Sequence, residues 1–523
     1  MPSHHRPVSL HQLLTRVKRY PTWRMLAMAH ELSLKEEEQK DKPWRVERVR
    51  SSGSFRRREY IHVTQFDLAF LAKLSILHSS DLRTEKLNPN AVFELIALSG
   101  SLEDAFLHQG HDKFVLWAFL LRTAWLQFPP QSGIGHLLPR YYLMFRSVND
   151  GIADRPFDVP SGWKDLTGLT LEDTMALGLV LWTRAQTARF FEGKELQNPD
   201  IDFLRELATD DKRKIILTLA GTSYQGFREL QGEYAVGDPL YAKTEFNALA
   251  KRPVIEVPGR GWIAPIPRLV VERFTQGIFF DLLDGFSGTK RNEFLDYFGT
   301  LFEEYAGVLL RDGWGDSNVI HEPRYGREEK RGPDWIVLEG EKALLFECRS
   351  SRLRLPTKVV ADEQALRADI RRMFVEPLKK YQGKIRDLKN GSAKVNLGHV
   401  RQFYPCIAVA EKIYVEHIYR DIIDDELRAA GVQPFEYYLI DIEVLEFFSA
   451  WATQTSVAGI LEDWSRARRE EPPTDFEVWV KQKAREMNLN FDCPILRRTL
   501  DAFRDAYLPT GPRQRGPQET VPS

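Results

Sequence analysis

Gly332-Pro333-Asp334, followed thirteen residues later by Glu347-Cys348-Arg349, sets two carboxylates in a stretch whose pattern brings them together. Two such carboxylates can share a divalent ion such as Mg²⁺ or Mn²⁺, which activates a water and absorbs negative charge at a phosphate. Trp335-Ile336-Val337-Leu338 and Ala343-Leu344-Leu345-Phe346 are apolar runs of strand length on either side of Glu339-Gly340-Glu341-Lys342. A two-residue turn at Gly340-Glu341, glycine first, suits the twist of flanking strands. The resulting register sets Leu338 against Ala343, Trp335 against Phe346 and Asp334 against Glu347. Directly opposed residues have Cβ atoms about 5 Å apart. Alternation puts Glu347 and Arg349 on one face and Cys348 on the other, where it packs. Glu339 opposite Lys342 is expected to form a cross-strand ion pair. A slip of one residue would undo the arrangement.

The elements that must position this hairpin are legible on both sides. Phe294, Phe298, Leu301, Phe302, Tyr305 and Leu309 recur at helical spacing. Downstream, a helix is expected from about Asp362 to Leu388 with an interruption at Pro377, then a strand over Phe403 to Ala410. A helix over Val415 to Ala430 and a strand over Phe435 to Ile442 complete the set.

These residues, in this order, resemble the PD-(D/E)XK nuclease superfamily, the restriction-endonuclease-like fold, over about residues 287–448. The resemblance implies an α/β domain with a central mixed sheet. It assigns Asp334, Glu347 and the carbonyl of Cys348 to a metal, with Glu303 added from the Gly299-x-x-Phe302-Glu303-x-Tyr305 spacing. Mg²⁺ or Mn²⁺ is the implied cofactor, and phosphodiester hydrolysis, in DNA rather than RNA, is the implied reaction. Arg349 stands where the family has lysine. Arginine stays protonated and cannot act as a base, although it can neutralise charge that develops at a phosphate. Three alternatives follow: Arg349 serves in that way; a lysine has migrated, from among Lys358, Lys380 and Lys384, with Lys380 assigned; or the site binds without cutting. The corresponding functions are a metal-dependent nuclease of bacterial defence or restriction, and an inactive nuclease-fold scaffold for nucleic acid or protein.

Charge favours a polyanionic partner. The chain carries a net charge of −1, yet residues 349–401 hold fourteen Lys and Arg against five Asp and Glu. Beside two carboxylates this excess is the footprint expected of a phosphate-backbone contact, with Arg352, Arg354, Lys358, Lys379 and Lys384 as contacting residues. A solvated basic helix is the alternative. Arg45, Arg48, Arg50 and Arg56 to Arg58 around Ser51-Ser52-Gly53-Ser54 form either a second phosphate-contacting loop or a solvated hairpin.

Other chemistries find little support. His108 and His111 precede what reads as a helix start capped by Asp112, and His30-Glu31 lacks the second histidine of a zinc-protease helix. No Walker loop, dinucleotide fingerprint or Gly-x-Ser-x-Gly elbow occurs. Three cysteines in 523 residues suit a reducing, cytoplasmic setting. The longest strongly apolar run, Phe114 to Leu121, is far short of a membrane span.

The expected organisation is a multidomain α and α/β chain. Residues 1–285 form a mainly helical domain of unidentified role, a candidate surface for a homodimer or a partner protein. Its helices are Thr64 to His78, Asn90 to Leu98, Asp112 to Phe128, Leu171 to Phe191 and Ile201 to Leu219, with a short hairpin at Val254 to Val257 and Trp262 to Ala264. Arg268 to Leu283 returns to helix before a boundary at Asp284 to Arg291. Residues 286–450 form the nuclease-like domain and 451–507 a helical appendage opened by a Thr474-x-x-Glu477 capping box. Residues 508–523 form a Pro- and Gly-rich tail expected to be disordered.

Overall fold

A computed structural model describes the chain except residues 1–8, 40–43, 53–54, 108–112, 128–132, 198–201, 326–329, 391–396, 471–474 and 509–523. The expectations for His108, His111, Asp112, Thr474 and residues 509–523 therefore lie outside the described residues. The chain is mostly helical, with a five-stranded mixed sheet and smaller sheets, in agreement with the expected α and α/β class.

The five-stranded sheet runs, in spatial order, Tyr438–Asp441, Gln402–Val409, Lys342–Arg349, Trp335–Glu339 and Val319–His321. The first three strands are parallel and the last three antiparallel. The hairpin has the expected register, with Glu339 against Lys342, Leu338 against Ala343 and Trp335 against Phe346. Gly340 takes the positive φ (62°) that the tight turn needs. The expected Glu339–Lys342 ion pair is replaced. Lys342 Nζ binds Glu462 at 2.8 Å, and Glu339 accepts the Val457 and Ala458 amides, each at 3.1 Å, at the start of the Val457–Glu470 helix. Orphan amides at a helix N-terminus hold a carboxylate better than one exposed ammonium does.

Both faces of the sheet are covered, as parallel strands require. Val337, Leu344, Phe346 and Cys348 join Tyr404, Cys406 and Ala408 under the long Gly288–Trp314 helix and the Ile442–Trp451 helix. Ile336, Ala343, Leu345, Ile407 and Val409 face the opposite helical layer, Glu363 to Lys389 and Glu416–Ala429. The helical spacing read around Phe294 to Leu309 holds, since all six of those residues are buried. Gly307 lets the long helix lie against Trp335, because a Cβ there would come within 2.2 Å of the Trp335 ring.

The Asp362 to Leu388 helix is interrupted one turn earlier than Pro377, by a π-helical turn over Arg371–Val375. Pro377 sits in the first turn of the Glu376–Lys389 helix that follows. A proline ring clashes with the carbonyl four residues back, here Met373, and the wider turn carries that carbonyl aside.

In residues 1–285 the Gln65–His78 and Lys113–Gln127 helices match expectation, Pro89–Leu107 runs nine residues past the expected end at Leu98, and the Leu171 helix stops at Thr187. Phe191 instead exchanges backbone hydrogen bonds with Trp262. The expected Ile201 to Leu219 helix divides at Ala208-Thr209 into Asp202–Leu207 and Asp210–Ala220. The short hairpin forms and is joined by Gly221–Ser223, a strand that three residues of sequence could not announce. Arg45–Ser52 and Phe55–His62 pair as a hairpin. Pro494–Tyr507 forms the last described helix, and Asp475 caps Phe476–Glu486.

Residues 134–182 share one continuous apolar core with the long helix and the sheet. At its centre Arg140 forms a bidentate pair with Glu446 at 2.5 and 2.7 Å, and Tyr305 donates to the same carboxylate at 2.7 Å. Trp117 and Leu121 of the Lys113–Gln127 helix pack into the core on the other face.

Candidate active site

Asp334 and Glu347 end adjacent antiparallel strands. Asp334 immediately precedes the Trp335–Glu339 strand, and Glu347 lies in Lys342–Arg349. The Cys348 amide donates to Asp334 Oδ2 at 2.7 Å, which fastens the aspartate across the hairpin. Burial, then the Glu347 and Glu303 carboxylates, push the Asp334 carboxyl up to about 7. A carboxyl so raised marks negative charge that a cation would relieve.

Glu347 is only 4% exposed and is held by two cations. Lys384 Nζ contacts its Oε1, and Arg349 Nη2 donates to its Oε2 at 3.1 Å. Lys384 also donates to the Gly332 carbonyl at 2.8 Å, tying the Gly332-Pro333-Asp334 segment to the Glu376–Lys389 helix. That helix is fixed one turn earlier, where the buried Tyr381 hydroxyl lies 2.9 Å from the Leu345 carbonyl and 2.8 Å from the Cys406 carbonyl.

Glu303 stands at the edge of this group. It couples electrostatically to Asp334, but its Oε1 lies 3.2 Å from His321 Nε2. His321 in turn stacks on Trp335, ring centroids 4.2 Å apart, and Trp335 Nε1 donates to the Glu303 carbonyl at 2.9 Å. The Glu303 hydrogen bond, working against burial, raises the pKa of His321. No motif signals His321; only the pairing of His321 with Trp335 in the sheet brings it here.

The remaining assigned residues separate by location. Lys384, not Lys380, is the lysine on Glu347; Lys380 is exposed, with Glu376 as a charged neighbour. Lys358 pairs with Glu411, Lys379 with Glu376 at 2.8 Å, and Arg354 Nε with the buried Asp369 at 2.8 Å. Much of the basic excess counted along the segment is thus met by carboxylates from elsewhere, Glu347, Glu411 and Glu426 among them. Cys348 is buried on the opposite face, and desolvation holds its thiol protonated.

The fit to a divalent ion is that of a two-carboxylate site. Among the described residues no three His, Cys, Asp or Glu side chains converge as a metal-binding group. Asp334 and Glu347 are the pair brought together, with the Cys348 carbonyl on the same strand.

No protein-family model, curated protein or solved structure matches the chain.

Proposed function

We propose that this chain is a divalent-metal-dependent nuclease that hydrolyses phosphodiester bonds, with DNA as its substrate and host defence or restriction as its setting. The supporting observation is the meeting of Asp334, Glu347 and Lys384 at the ends of two adjacent strands. Two carboxylates and a lysine at the end of a hairpin are the donor set that phosphodiester hydrolysis uses. Lys384 supplies the ammonium that Arg349 cannot, and it comes from the following helix instead of the strand.

Asp334 and Glu347, with the Cys348 carbonyl, would hold Mg²⁺ or Mn²⁺, and Glu303 would approach through solvent. When bound, such an ion supplies a nucleophilic water and neutralises charge at the phosphate. The protein's own contribution is positional. Lys384 places a positive charge beside the scissile phosphate, Arg349 adds a second, and the Cys348 amide holds Asp334 in line. Residues 1–285 gate access or recruit a partner, and the protein acts in the cytoplasm. No described helix is long and apolar enough to cross a membrane.

A second reading has its own support: with Lys384 and Arg349 on Glu347, and no third His, Cys, Asp or Glu side chain joining the pair among the described residues, the site also suits an inactive scaffold that binds nucleic acid. The test incubates supercoiled DNA, single strands and RNA with the protein in Mg²⁺ or Mn²⁺, beside Asp334→Ala and Glu347→Ala. Cleavage abolished by both substitutions supports the nuclease. Binding without cleavage, unchanged by Glu347→Ala, supports the scaffold.

A further inference from the structure

The last strand residue of the hairpin, Arg349, is followed within three positions by Arg352, whose environment is unlike that of its basic neighbours. Arg354 and Lys358 are each held by a carboxylate. Arg352 is held by rings. Its guanidinium carbon lies 4.3 Å from the Phe279 ring centroid, 5.4 Å from Phe280 and 5.6 Å from Phe298. Its Nε is buried and has no hydrogen-bond partner among the described residues, so ring contact defines its position.

Phe279 and Phe298 belong to the core, but Phe280 is 45% exposed. It stands edge-to-face against Phe279 with centroids 5.2 Å apart, which fixes the orientation of its free face. The platform lies next to the candidate site. The Arg352 Cα can be no more than about 11 Å from that of Arg349. On the long helix, a Cβ at Gly299 would lie 3.5 Å from Ser350 Oγ, and Glu303 follows Gly299 by one turn. Arg354 and Arg372, both more than half exposed, share the single carboxylate of Asp369, and the net positive charge left there suits a polyanion rather than an apolar partner.

We infer that the substrate carries an unpaired nucleotide beside the scissile phosphate, and that its base stacks on Phe280 with Arg352 completing the platform. Base stacking on an aromatic face tolerates any sequence and requires the base to be out of a duplex. The preferred substrate is accordingly a single strand, or a duplex at an end, flap or gap. This inference rests on the nuclease reading for the position of the scissile phosphate, but the stacking itself can be measured without cleavage.

The experiment measures binding of the full chain, in EDTA, to a fluorescent single strand, to the same strand made abasic, and to its duplex. The intact strand is expected to bind tightest. Phe280→Ala should weaken it roughly 5- to 150-fold, the effect of losing one stacked base, with less than about a twofold change on the abasic strand. Phe280→Trp should restore binding, and thermal melting checks that each variant is folded. Equal loss on intact and abasic strands, no loss, or a preference for duplex overturns the platform. Phe280-dependent binding in a protein that never cuts retains the platform and removes the nuclease reading. Cleavage that needs Asp334 but ignores Phe280 does the reverse, and failure to bind any nucleic acid removes both.

Discussion

The ammonium of Lys384 lies on the carboxylate of Glu347, 37 residues earlier in the chain, and links the helix on one face of the sheet to the strand that carries the motif. Both side chains are largely withdrawn from water. Lys384→Met should therefore destabilise the fold by about 3 kcal/mol, because it leaves a buried carboxylate with Arg349 alone. If Lys384 stabilises charge at the phosphate, cleavage should also fall by about 10²- to 10³-fold at a temperature where the variant remains folded. Arg349→Lys should keep most of the activity. Kinetics on both variants, beside their melting curves, separate a catalytic lysine from a purely structural one.

Binding of Mn²⁺ to the native state alone should raise the melting temperature of the wild type. The stabilisation is about 2.7 kcal/mol when the ion is at 100 times its dissociation constant. Asp334→Asn keeps an acceptor for the Cys348 amide but removes one of the two charges, so its melting temperature should be insensitive to Mn²⁺. An equal rise in both proteins would place the ion elsewhere.

Gly307→Ala should cost about 1–3 kcal/mol despite the better helix propensity of alanine. The added methyl meets the Trp335 ring, which is wholly buried and hydrogen-bonded to the Glu303 carbonyl. A shifted Trp335 would also move Glu303. Chemical denaturation monitored by tryptophan fluorescence reads the loss directly.

Glu339→Ala should remove about 1–2 kcal/mol. Its carboxylate accepts the Val457 and Ala458 amides and the Trp314 indole at 2.7 Å. Protection of the 457–470 amides in hydrogen exchange should fall with it, whereas the register of the hairpin should persist because the turn itself is set by Gly340.

Asp441 gives a pH signature. Burial, then Glu477 and Glu443, push its carboxyl up to about 7, with Lys412 opposing them. The folded state therefore binds the proton more tightly than the unfolded chain does. Stability from this group is present below the ordinary carboxyl range and is lost as pH rises toward 7. Asp441→Asn retains an acceptor for the Val444 amide, which Asp441 caps at 3.0 Å. The melting difference between variant and wild type should grow in favour of the variant from pH 5 to pH 8, by about 3 kcal/mol. A difference that is flat with pH would show that Lys412 keeps Asp441 ionised throughout.

The hairpin and its register were decided locally. Apolar runs on either side of Gly340-Glu341 allow one pairing that buries them, and that pairing places Asp334 opposite Glu347. The amphipathic spacing from Phe294 to Leu309 and the order of later elements were legible for the same reason: periodicity records which face meets the core. What the sequence could not contain was the choice among partners distant along the chain. Lys358, Lys380 and Lys384 are alike as residues, and only the depth of the helix on the sheet, set by Tyr381, puts Lys384 on Glu347. The charge count of residues 349–401 was incomplete for the same reason, since it omitted carboxylates such as Glu411 and Glu426 that arrive from outside the segment. His321 and Phe280 carry no local pattern. Their places at the candidate site and beside it follow from strand pairing and ring packing, which exist only once the chain has closed on itself.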